Sequence, residues 1–123
     1  MHVIEVLGRI FLSTIFLIEG INKIFNYEST IEYMENFNVP EYLAIPAIIV
    51  EILFPLLLIV GYQTKISALV LAIFTLATAL IFHTDFTNQM QLISFLKNFA
   101  IAGGFLILFI NGAGKYSLDH KLN

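Results

Sequence analysis

The 123-residue chain contains no cysteine. That excludes disulfides, thiol catalysis and thiolate metal sites. Charge is also scarce: 12% of the residues are charged, against about 25% in a soluble domain. So few charged side chains cannot cover a soluble surface. The net charge is −3, with no basic cluster and no phosphate-cradling loop, so nucleic acid is not an expected partner. The N-terminus lacks a basic leader, is interrupted by Glu5 and Arg9, and is followed by no small-x-small site. The first apolar run is therefore expected to be retained rather than cleaved.

Hydrocarbon takes the place of charge. Hydrophobic residues make up 59% of the chain and the mean hydropathy is +0.88. A spanning helix needs roughly 20 mostly apolar residues. Four runs meet that length, at about residues 3–25, 42–61, 65–83 and 92–110. The first is the most polar. The second, YLAIPAIIVEILFPLLLIVG, holds one charge, the third none between its ends, and the fourth Lys97. A soluble bundle of this size cannot bury four helices that are apolar on every side. The expected fold is all-α: an integral membrane four-helix bundle forming one domain over residues 1–123.

The connections are short, as antiparallel neighbours require. The longer one, 26-NYESTIEYMENFNVPE-41, has a pattern of its own. Tyr27, Ile31, Met34 and Phe37 form one apolar stripe, and Glu28, Glu32 and Glu35 form an acidic one. Ser29 and Glu32 match a capping box, and Pro40 lies beyond the expected end. This predicts a short helix lying in the membrane interface, with partner docking as the alternative use of its acidic face. With four spans both termini share a side, which holds Arg9, Lys65, Lys115 and Lys121; Lys23 and Lys97 are on the other. The bias puts both termini in the cytoplasm, across a cytoplasmic (inner) membrane.

Four ionisable residues fall inside the spans: Arg9, Glu19, Glu51 and Lys97. Each alone would cost at least about 2.5–3.5 kcal/mol at a helix centre, and two positive against two negative suggests that they face one another. From a 1.5 Å rise, Glu19 and Lys97 lie roughly 9 and 8 Å below the same end of their spans, so they are expected to pair, with Asn98 beside them. Arg9 and Glu51 make the second expected pair. At about 100° per residue, Arg9, Ser13, Phe16, Gly20 and Lys23 form one narrow stripe of span one, with Glu19 on its flank. Lys23 is near a span end and can snorkel. Pro55 has no N–H, which frees the carbonyl of Glu51 and predicts a kinked turn near the midplane. Such backbone is tolerated where it lines a cavity or is buried in protein. Architecture is the alternative reading of both pairs, since buried ion pairs can simply fix register. Thr75 and Thr78 can satisfy their hydroxyls on the preceding turn, and Gly103-Gly104 reads as close helix packing. His2, His83 and His120 lie at span ends or near the termini, so no histidine pair is placed to ligate haem.

In order and spacing, five pieces resemble the DoxX family of small four-helix membrane proteins: Arg9, 19-EGINKIF-25, Glu51 before LLLIVGYQTK, 97-KN-98 and 112-GAGKYSLD-119. At Glu19 the chain departs from the family pattern, which more often has a small or apolar residue there. The resemblance implies a four-helix bundle in the cytoplasmic membrane and a link to oxidoreductase systems, some quinone-coupled; other relatives look like assembly factors. In the tail, the glycines are read as a C-cap of span four, and Asp119 as a partner for a basic residue.

The expected function is a membrane subunit of an oxidoreductase system, binding a quinone or small lipophilic compound in a polar intramembrane pocket. The candidate ligand-binding residues are Arg9, Glu19, Glu51, Lys97 and Asn98, with Arg9 on a quinone oxygen and Glu51 as proton relay. No metal site, intrinsic cofactor or catalytic residue is assigned. A redox or assembly partner is implied beside the lipid bilayer, and the oligomeric state is left open. The alternative is a non-enzymatic scaffold or assembly factor. A transporter is less attractive for four short spans with no visible repeat.

Overall fold

In the computed structural model, which describes residues 2–122, four long helices carry the fold. They are α1 (His2–Phe25), α3 (Ala44–Val60), α4 (Thr64–Phe82) and α5 (Gln89–Asn111). Two short helices accompany them, α2 (Tyr27–Asn36) and α6 (Leu118–Leu122), and a 3-10 turn over Glu41–Leu43 leads into α3. Three stretches are long and apolar enough to cross a membrane: Glu41–Val60, Thr64–Phe82 and Gln89–Asn111. With 24 residues, α1 is long enough, but it carries Glu5, Arg9, Glu19 and Lys23.

Local chemistry sets the ends. Asn88 caps α5, its side chain accepting from the N–H groups of Met90 and Gln91, so this helix starts three residues before the expected span. Gly61 ends α3 at φ +75°, donating to the carbonyls of Leu57 and Leu58, a left-handed stop that glycine adopts without a Cβ penalty. The expected capping box of α2 does not form. Asn26 stands at its N-cap without a side-chain bond. The Asn26 N–H donates to Asn22 and the Thr30 N–H to Asn26, so the chain runs almost directly from α1 into α2. The donors that Ser29 would have capped are supplied by that continuity. Nor is the backbone interrupted at Pro55, which is buried inside a continuous α3.

The long helices pair as α1 with α3 and α4 with α5, and the two pairs meet through a core of Phe16, Leu58, Ala68, Leu71, Ala72 and Phe105. Alanines on α4 and Gly20 on α1 allow the close approach. A Cβ on Gly20 would come within 2.8 Å of Ile52. Large apolar side chains cover the outside, among them Phe11, Ile18, Leu53, Ile73 and Ile107. In water that shell would be unstable; in lipid it is the matching surface. The core lies in the half of the bundle nearer the chain ends. In the other half the pairs part, and α2 closes over the gap: Tyr33 stacks on Phe82 of α4 and Phe37 meets it edge-on, with ring centroids 5.3 and 5.1 Å away.

Candidate functional site

The buried residues of α1 are Arg9, Ser13, Phe16 and Gly20, the stripe expected from the wheel, and Lys23 continues it half-buried. The partners differ from expectation. Lys23, not Arg9, forms the ion pair with the fully buried Glu51. Helix length explains the exchange. By its 24 residues α1 is about 36 Å long and by its 17 α3 is about 26 Å. Glu51 lies level with Gly20, whose Cβ position is 3.2 Å from the Glu51 Cβ. Arg9, eleven residues below, is about 16 Å away along the axis, while Lys23 is less than one turn above.

Arg9 instead meets the end of α3. Its guanidinium donates to the carbonyls of Leu58 (3.0 Å) and Ile59 (3.4 Å), and to Tyr116 in the tail. Leu58 and Ile59 belong to the last turn of α3, where carbonyls lack their full set of helical partners, at the negative end of its dipole. The tail adds a second clasp. The Asp119 carboxylate accepts from the N–H groups of Gln63 (2.7 Å) and Thr64 (2.8 Å), and its own N–H donates to Gly61 (2.8 Å). Asp119 thus caps the start of α4 rather than pairing directly with a base. Burial alone would raise its pKa, but the Thr64 and Gln63 hydrogen bonds outweigh it and hold the carboxyl below its ordinary value. Gly112 does cap α5, at φ +79°. The Glu5 carboxyl fills the space where a Cβ on Gly114 would stand, 2.6 Å away. An open groove of about 910 Å³ runs beside this tail.

The expected Glu19–Lys97 pair does not form. The two helices touch nearer the chain ends, where Gly104 lies against Leu12 and the Phe16 and Phe105 rings are 5.5 Å apart, and they have parted by the level of Glu19. Lys97 is exposed. Asn98 turns to α4, donating to the Thr75 carbonyl (3.3 Å) and the Thr78 hydroxyl (3.2 Å). Thr75 and Thr78 donate to Leu71 and Thr75 within their own helix, as expected. Gly104 packs closely, but Gly103 faces open space.

Under α2, between the parted pairs, lies a cavity of about 510 Å³. Phe16, Phe74 and Ile101 contribute apolar wall, and Glu19, Lys23 and Asn98 bring polar groups to it. That size and mixture are typical of a small-molecule site. Three of the five candidate residues are at the cavity or next to it: Glu19 and Asn98 are on the wall, and Glu51 is reached through Lys23. Arg9 and Lys97 are elsewhere. The Glu51 Oε2 atom is buried without a hydrogen-bond partner. Sequence reasoning left Lys23 at the headgroups, although its place on the buried stripe was the available signal. Among the described residues no cluster of three or more metal-ligating side chains occurs.

Fold and cavity together define a small helical membrane protein with a lipophilic pocket near one end. The DoxX family model matches residues 4–84, and the chain belongs to that family. It is 40% identical over 116 residues to the inner membrane protein YqjF of Escherichia coli, covering 94% of this chain and 89% of the relative. It is 35% identical over 126 residues to the inner membrane protein YphA of the same organism, covering 97% and 90%. No solved structure matches. Three apolar helices and two inner-membrane relatives of nearly full coverage make this a multi-pass inner-membrane protein.

Proposed function

We propose that the protein is the membrane subunit of an oxidoreductase system and binds a quinone or similar small lipophilic compound in the cavity under α2. The observation that carries this reading is the Lys23–Glu51 pair against an apolar cavity of about 510 Å³. Ionisable groups at membrane depth default to function, and Glu51 keeps one carboxylate oxygen free of any donor. In this reading Lys23 orients the ligand's oxygen and Glu51 accepts or returns the proton. Arg9 has no part, because its guanidinium is held at the end of α3 by Leu58, Ile59 and Tyr116 and does not line the cavity. A chain without cysteine holds no thiolate-ligated redox centre, so in this reading the electrons come from a partner or a diffusible substrate. We further propose that α1 spans the membrane as the fourth helix and that both termini are cytoplasmic, following the lysine and arginine bias.

The test is thermal unfolding of the detergent-purified protein with and without a short-chain quinone analogue. The analogue should raise the midpoint of the wild type, and Glu51→Gln should abolish the rise while the protein stays folded. No rise in the wild type rejects the ligand.

One observation favours a second reading, a scaffold for another protein. Glu28, Glu32 and Glu35 of α2 are all exposed, side by side at the surface. Neutralising all three should then abolish co-purification of the partner; unchanged co-purification counts against docking there.

A further inference from the structure

The cavity is roofed but not walled. On the α2 side, Met34 is buried beneath its helix, and the rings of Tyr33, Phe37 and Phe82 lie 5.0–5.3 Å apart. That cluster stands between the cavity and water. Sideways there is no such closure. Ile15 of α1 and Ile81 of α4 both line the cavity, yet 43% and 44% of their surfaces are open. Glu19 lines it and is also exposed. No hydrogen bond or ion pair among the described residues ties Glu19 to Lys97 or Asn98 across the gap from α1 to α5. The apolar shell places this gap at hydrocarbon depth, so what fills it is lipid-dissolved.

The polar groups specify the head of that ligand. The Glu19 carboxylate makes no hydrogen bond among the described residues, the Asn98 amide donates to Thr75 and Thr78, and Lys23 gives one of its donors to Glu51. At Glu19 the cavity therefore offers acceptors alone. A carboxylate facing hydrocarbon without a donor is unfavourable, so beside Glu19 a head that donates is favoured over one that only accepts.

We infer that the cavity is filled sideways from the membrane leaflet on the α2 side, between the α1–α3 and α4–α5 pairs, by an amphiphile whose hydroxyl or amine head donates to Glu19. This rests on reading the cavity as a ligand site, and it deepens that reading: a quinol belongs to this class, whereas its oxidised form offers acceptors alone.

The chain has no tryptophan, so single replacements Phe74→Trp and Ile101→Trp report from the cavity wall. Each is reconstituted in phosphatidylcholine vesicles with brominated acyl chains, or in ordinary vesicles with iodide in the water. The expected result is loss of at least half the emission to brominated lipid and little loss to iodide, for whichever variant folds. Strong iodide quenching, or protection from both quenchers (as a second copy across the gap would give), overturns lateral entry. For the head group, a nitroxide-labelled fatty alcohol is compared with a nitroxide-labelled phosphatidylcholine at equal mole fraction. The alcohol should quench more, and Glu19→Leu should remove the excess; equal quenching, or an excess that survives Glu19→Leu, overturns the donor assignment. Quenching needs no quinone analogue, so failure of the quinone reading leaves this result standing, and the reverse.

Discussion

Glu51 has one carboxylate oxygen on Lys23 and the other on nothing, so the energetics of this residue belong to a pair. Removing one partner leaves a buried charge, typically at a loss of about 3–5 kcal/mol. Lys23 keeps 29% of its side-chain surface open, which puts the loss toward the lower end or below. Glu51→Gln and Lys23→Met should each destabilise the protein in chemical denaturation, and the double change should recover most of the loss. Arg9→Met combined with Glu51→Gln should be additive within about 0.5 kcal/mol, as distant sites are. Strong coupling of Arg9 to Glu51 would restore the pairing expected from sequence. Gly61 is the other decisive position: it needs φ +75°, and its missing Cβ leaves room for the Arg9 guanidinium and for Ser117, both 2.3 Å from where that atom would stand. Left-handed backbone alone disfavours Gly61→Ala by about 1–3 kcal/mol. The variant should also free the tail, which limited proteolysis will read.

The short elements act as clasps at opposite ends. At one end α6 holds the α3–α4 turn through Asp119, whose carboxyl is kept below its ordinary value. A depressed acid stabilises the fold above its unfolded pKa, and that contribution is lost as pH falls through the folded value. Tail protection in hydrogen exchange should therefore be full near neutrality and disappear only below the usual carboxylate range. Asp119→Asn should weaken it near neutrality by about 0.5–2 kcal/mol, as a lost helix cap does, and the difference from the wild type should vanish at the acid end. At the other end α2 clasps the parted pairs through Tyr33, Phe37 and Phe82, and Phe82→Ala should loosen it without unfolding the bundle. Both short helices stand in the sequence unequally. The Tyr27, Ile31, Met34 and Phe37 stripe announces α2, and Met34 is indeed buried. Its start is misread because a capping box competes with direct continuation from α1, a choice that depends on three-dimensional direction. The role of Asp119 is invisible to spacing, since its partners are backbone N–H groups 55 and 56 residues away.

At the scale of the whole molecule, four long helices and the buried stripe of α1 follow from periodicity and hydropathy, because both depend on one helix at a time. Pairing does not. It depends on how far one helix slides past another, and the extra length of α1 sets Arg9 opposite the end of α3 instead of its middle. Depth measured from span ends cannot supply that offset. Asn98, singled out beside a charged pair, proves to bind α4, which again is a matter of which neighbour a helix face meets. If α1 crosses the membrane, reporters fused to the two ends should respond from the same side; opposite sides would leave three crossings and put α1 on the surface.

The Arg9 clasp has a consequence for how the protein is made. Arg9 leaves the ribosome before its partners: the carbonyl of Leu58 follows 49 residues later and that of Tyr116 107 residues later. If α1 crosses the membrane, Arg9 gains its partners in two stages, the α3 carbonyls first and the tail carbonyl long after. A chain that stopped before Tyr116 would keep the two α3 carbonyls on Arg9 and lose the third, so the tail is the last part of the clasp to close.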